Sequence, residues 1–397
     1  MKSAVAQQES APDRDRVGDE LLRSKRISVV VGGTLTAAHR REVAEGRRPR
    51  VDVFEMESRF GAKVHDFSRL QREAEGERRS PLTRALARRT RLWSPLLAYR
   101  VLRSVRGDDV VYATGEDVGY PLALLMRAHR IDGPRLVVRL DQPTLGKTIS
   151  RRLFSDLYVH HALKRIDRAG CHSNVQLQYL NSVVGVPLSA LGLLPPKVDT
   201  RFFSAGHAQR PPDLDVGGRY ILSAGLEMRD YATLIEAARG LPVSLVIAAG
   251  SPWSHFRFHY QRALPPNVHV SSFTPAQMRD LYRSAQFVVV PVKPTLRTCG
   301  ITVVLESWAM EKGVIASRTV GLLDYAEDGQ TVLFVRPGDV EDMRSKISHL
   351  LEHPDEAARL GRNGCERVEA DLNLDRFMDL IQQFLASALE APAAASA

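Results

Sequence analysis

Cysteine is scarce. Cys171, Cys299 and Cys365 are the three present, and their wide spacing excludes a disulfide framework and a thiolate metal site. A reducing cytoplasm is the expected location, and no metal or cofactor is called for. Long apolar runs are also missing: no stretch of 18 apolar residues occurs, so no membrane-spanning helix is expected. The first 25 residues, MKSAVAQQESAPDRDRVGDELLRSK, lack the apolar core of a signal peptide. They hold few large apolar residues, and disorder is expected there and in the tail APAAASA (391–397). Acids vanish locally, since Arg78 to Gly107 holds nine arginines and no Asp or Glu. That stretch can account for the whole net charge of +9. The remainder is near neutral and carries no recognition motif, which argues against nucleic acid as a partner. Within 78–107 the arginines alternate with Leu82, Leu86, Trp93, Leu96, Leu97, Tyr99 and Leu102. Two expectations compete there: basic amphipathic helices touching an anionic membrane surface, or solvated faces over a core.

What is present is a steady α/β rhythm. A length of 397 residues accommodates two domains. Ile27–Val31 is a β-branched run ending in Gly32-Gly33-Thr34. VDVF (51–54) is predicted as a second strand, followed by 109–113 and 136–140, with a helix over 119–130. Residues 151–184 are predicted helical. A second alternation begins at 220–224. It continues with a helix near 230–239, strands at 243–249 and 268–270, a helix at 275–284 and a strand at 287–291. Amphipathic helices close the chain from Asp339 to Glu390. Strands alternating with helices predict two doubly wound parallel sheets: an N-terminal domain over 26–205, a linker over 206–214 and a C-terminal domain over 215–390. Ligands of such sheets lie beyond the strands' carboxyl ends, where Gly32, Gly33, Glu116 and Asp141 fall.

The most organised stretch is 298–335, TCGITVVLESWAMEKGVIASRTVGLLDYAEDGQTVLFV. A turn at Gly300-Ile301-Thr302 leads into an apolar helix with one acid, Glu306. Backbone N–H groups and the positive helix end suit a diphosphate, and a carboxylate one turn further in suits two ribose hydroxyls. The succession GITVVLESWAM, EKGVIAS and VGLLDYAEDGQTVLFVRPGD resembles the retaining glycosyltransferases of group 1 (family 4). GLEMRDYATLIEA (225–237) resembles their basic segment, and VDTRFF (198–203) a linker-proximal element taken as structural.

That resemblance implies GT-B architecture, with two Rossmann-like domains facing a cleft. It implies a transfer from a nucleotide-diphosphate sugar, UDP favoured, to a hydroxyl acceptor with retention of configuration. The donor residues would be Gly32, Gly33, Gly225, Arg229, Thr298, Gly300, Ile301, Thr302 and Glu306. Arg229 and Asp141 would act at the reacting centre, and Glu116 and Asp141 would meet the acceptor. No metal is expected, because helix ends and basic residues take its place. Three departures stand out: Thr298 where the family carries a first glutamate, Leu226 where it carries a base after the glycine, and Gly313 in place of proline. An epimerase of the same architecture and a non-catalytic nucleotide-sugar binder are the alternatives. High arginine and alanine use points to a GC-rich bacterial genome.

Overall fold

A computed structural model describes residues 19–68, 70–71, 93–141, 158–207, 218–250, 258–295 and 297–390. Much of the basic stretch (78–92), part of the predicted linker (208–214), the first 18 residues and the tail 391–397 lie outside the described residues. The chain divides into two compact units. One holds the described residues up to 40, 51–194 and from 378 onwards; the other holds 41–50 and 195–377.

The first unit is built on a parallel sheet of β1 (Ile27–Val30), β2 (Lys63–His65), β3 (Val110–Ala113), β4 (Arg135–Leu140), β5 (Arg168–Cys171) and β6 (Leu191–Leu193). Their order is β2-β1-β3-β4-β5-β6. The second unit repeats the plan with β7 (Tyr220–Ala224), β8 (Ser244–Ala248), β9 (Val268–Ser271), β10 (Val288–Val290), β11 (Val314–Ser317) and β12 (Leu333–Val335). Its order is β12-β11-β10-β7-β8-β9. Every pairing is parallel. Strands such as Val288–Val290 and Val110–Ala113 are buried along their whole length, which is why they read as unbroken apolar runs. In each unit the order reverses once, beside β1 and β3 in the first and beside β7 and β10 in the second. Ligands of open α/β sheets bind at such switch points.

Three expectations are corrected. VDVF (51–54) is not a strand; it opens the helix Asp52–Phe60, whose Val53, Met56 and Phe60 are buried on one face. Helical periodicity and a left-handed Gly61 at its end outweigh β-propensity there. The second strand is the short KVH at 63–65. Residues 151–184 are not helical throughout: 168–171 form β5, paired to both β4 and β6. Order also begins before Arg26, because residues 19–23 are helical and Leu22 is fully buried. In the described part of the basic stretch, the helix Trp93–Val101 buries Leu97, Ala98 and Val101. Leu102 is buried and Tyr99 is exposed, so most apolar residues between 93 and 107 serve the core. Among the described residues no helix is long and apolar enough to cross a membrane.

In the second unit Asp199 of VDTRFF is buried and takes three hydrogen bonds from Arg50, one from the backbone N at 2.8 Å and two from the guanidinium at 3.0 and 2.9 Å. Its role is structural, as its sequence context suggests.

Candidate active site

In the second unit the chain leaves β7 through Gly225 and leaves β10 through Pro291. The two loops are tied together by Asp230 N donating to Pro291 O at 3.0 Å and Lys293 N donating to Met228 O at 2.9 Å. Residues 229 and 292 form an antiparallel bridge. Gly225 has φ +90°, and a Cβ there would sit 2.6 Å from Arg229 Nη2. The guanidinium therefore lies on the bare Cα of Gly225. Arg229 Nε donates to Ala224 O at 2.8 Å and Nη1 to Glu227 O at 3.0 Å. Backbone acceptors aim this cation at the strand ends.

Gly300 precedes the helix Ile301–Ala309 with φ +91°. A Cβ there would meet Val290 Cγ1 at 2.9 Å and Val292 Cγ2 at 3.1 Å, with Arg229 Nη1 at 3.8 Å. Conformation and space thus both demand glycine, and the turn stands beside Arg229. Ile301 is buried in the core, so its backbone N–H is the part that can serve a ligand, whereas Thr302 is exposed. Thr298 is half-buried.

Glu306 is half-buried one turn into this helix and accepts a hydrogen bond from Tyr282 Oη at 2.7 Å. Burial pushes its carboxyl up to about 7, against the pull of Tyr282 and Arg229. Desolvation likewise raises the Tyr282 phenol, with the Glu306 carboxylate adding to it, so Tyr282 stays protonated and donates. Tyr282 takes one of a carboxylate's roughly four acceptor positions, which leaves enough for two vicinal hydroxyls. Arg229, Gly300 and Glu306 are brought together. Tyr282 was missed; it is buried on 275–284 together with Leu281 and the charged Arg279 and Asp280, so no polar-against-apolar pattern singles it out.

The other predicted residues gather in the first unit. Glu116 follows β3 and its Oε2 accepts from Asp141 N at 2.9 Å. Asp141, after β4, pairs with Arg139 Nε at 3.3 Å and His172 Nε2 at 3.2 Å. His172 was also missed; the pairing of Leu140 with Cys171 sets it beside Asp141, and no local pattern shows that. Burial, then the Asp141 charge, pushes Glu116 up to about 7. Gly32 lies against the Asp117 carboxylate, and Gly33 O accepts from Phe67 N at 2.8 Å. Gly32, Gly33, Glu116 and Asp141 thus line the carboxyl ends of β1, β3 and β4.

Residues 226–353 match the family model for Glycosyl transferases group 1. The second unit carries a group 1 glycosyltransferase domain. Among curated relatives, 89 residues are 35% identical to trehalose synthase of Thermococcus litoralis, covering 21% of either chain. The chain thus spans about a fifth of that relative's length. Over 294 residues it is 26% identical to the MMP alpha-(1->4)-mannosyltransferase of Mycolicibacterium hassiacum, covering 69% of each. The fold is that of GT-B glycosyltransferases. A solved example, Anabaena HepE in complex with UDP-glucose, has TM-score 0.66 and 15% identity over 91% of this chain and 100% of that one.

Proposed function

We propose that the protein transfers a sugar from a nucleoside diphosphate sugar, a UDP-sugar in the first instance, to an acceptor hydroxyl with retention of configuration. The observation that carries this reading is the meeting of Arg229, the Gly300 turn and Glu306 at the switch point between β7 and β10. A fixed cation and free helix N–H groups suit a diphosphate, and a carboxylate one turn away suits a ribose. HepE was solved with UDP-glucose, which supports UDP as the first nucleotide to try. Arg229 and the helix end would stabilise charge on the departing phosphate, and that phosphate would take the acceptor's proton. The protein then contributes positioning and leaving-group stabilisation, and no side-chain nucleophile is required. Glu116 and Asp141 would meet the acceptor. The reaction belongs in the cytoplasm, and the basic stretch 78–107 is the part of the chain suited to an anionic membrane surface.

Thermal stabilisation against UDP-, GDP- and TDP-sugars tests the donor claim. A ligand at a hundred times its dissociation constant adds about 2.7 kcal/mol, and no shift with any nucleotide sugar sinks the reading. Product analysis by NMR then reports the anomeric configuration. Conversion of the donor alone to an epimer would indicate the epimerase reading instead.

Glu306 gives the binding a pH signature. Between the ordinary value of 4.5 and about 7, the unfolded chain ionises this carboxyl while the folded chain keeps its proton. Folding stability from this group is full below that window and is lost as pH rises through it. Binding runs the other way, because hydroxyls donate more strongly to a carboxylate. UDP-glucose affinity should rise several-fold between about pH 6 and about pH 8, and Glu306→Gln should flatten the rise. The intact nucleotide sugar is the right probe, since its diphosphate has no titrating proton in that range. A pH-independent affinity in the wild type would refute the assignment.

A further inference from the structure

Leu226 leaves the first position after Gly225 without a base, yet a second guanidinium reaches the same pair of loops. Arg297 lies three residues before Gly300 and pairs through Nη2 with the Glu227 carboxylate of the opposite loop. The two side chains are 35% and 46% exposed, so this is a half-open pair at the rim of the turn. Arg297 Nε is buried and has no hydrogen-bond partner among the described residues. Arg229 Nη1 donates to Glu227 O and Arg297 Nη2 pairs with the Glu227 carboxylate, so one residue carries both guanidiniums, and a Cβ on Gly300 would lie 3.8 Å from Arg229 Nη1. The backbone that aims Arg297 is held firmly. Its N donates to Thr295 Oγ1 at 3.1 Å, and its O accepts from Cys299 N at 2.8 Å. Gly321 packs so closely that a Cβ there would sit 2.5 Å from Thr298 Cα and 2.7 Å from Arg297 O.

A partly exposed pair such as Arg297–Glu227 is weakly held, whereas a diphosphate offers guanidinium two charges and bidentate geometry. We infer that Arg297 is a second diphosphate-binding cation, supplied by the loop after β10 in place of the base missing at 226. Glu227 is its counter-ion in the empty site and yields it to the incoming diphosphate. This rests on the donor reading above and extends it. The site is thereby biased towards diphosphates, because a ligand without that charge cannot draw Arg297 from Glu227.

Titration calorimetry of the full chain with UDP and with uridine tests the inference. Arg297→Ala should weaken UDP about tenfold to a hundredfold while uridine binding stays within about twofold. Glu227→Gln should tighten UDP several-fold, because the competing acid is gone. The double variant should return to the Arg297→Ala value. Arg297→Gln keeps much of the side chain's volume and serves if the alanine variant folds poorly. Equal losses for uridine and UDP would make Arg297 a structural residue and overturn the inference. So would an unchanged UDP affinity in Arg297→Ala, or a Glu227→Gln variant weakened as much as Arg297→Ala. A wild type that binds neither ligand overturns the donor reading itself. A wild type that binds UDP with no dependence on Arg297 overturns the present inference alone.

Discussion

Replacing Arg229 with alanine should lower turnover about a hundredfold to a thousandfold, the range seen when a preorganised donor to a developing anion is removed. The reason is its anchoring. Nε and Nη1 are spent on Ala224 O and Glu227 O, and the group lies on the Cα of Gly225, so it is aimed before any substrate arrives. A donor fixed in advance pays no reorganisation as charge builds on the leaving phosphate. Arg229→Lys should fall between the two, because lysine keeps the charge and loses the planar fork. Steady-state kinetics decides the role. Equal falls in kcat and kcat/KM mean a contact made in the transition state, whereas a rise in KM alone means uniform donor binding. The 229–292 bridge is a backbone pairing and survives the substitution, so the loops should keep their connection. Turnover within about threefold of wild type would remove Arg229 from the mechanism.

Gly300→Ala should cost about 2–5 kcal/mol of stability in the unit that contains it. A left-handed φ of +91° accounts for about 1–2 kcal/mol in a residue with a Cβ. Pressing that Cβ to within 2.9 Å of Val290 Cγ1 and 3.1 Å of Val292 Cγ2 adds about 1–3 kcal/mol. Gly338→Ala separates the two causes. Gly338 has φ +79°, and a Cβ there would meet nothing within 4 Å, so that variant should show the conformational part alone. Nucleotide affinity should fall with Gly300→Ala and not with Gly338→Ala, since the first shifts the start of the helix that offers its N–H groups. Denaturant midpoints of both variants, measured with and without UDP, give the comparison. Equal midpoints for the two would exclude the packing contribution.

How much was legible depends on how local the cause was. The helix at 275–284 is fixed by Thr274, whose side chain and Gln277 form a reciprocal cap, with Pro275 in the first turn. Such signals sit within four residues and are readable. VDVF failed because three β-prone letters say less than the burial of Val53, Met56 and Phe60 over nine residues. RAGC at 168–171 failed because a strand that short, with one glycine against Leu194, has no pattern of its own. Its neighbours on both sides make it a strand.

By itself the sequence determined the α/β alternation, the glycine turn with its following acid at 300–306, and the basic residue at 229. Each follows from residue type and short spacing: β-branched runs, a glycine where φ must be positive, one acid on an apolar helix. Tertiary structure alone decided the partners. Strand order put the loops after β7 and β10 side by side, set Tyr282 on Glu306 and His172 on Asp141, and carried Arg297 across to Glu227. Those contacts join residues between 24 and 70 positions apart. Which strands become neighbours is a property of the packed sheets, and no window of sequence contains it.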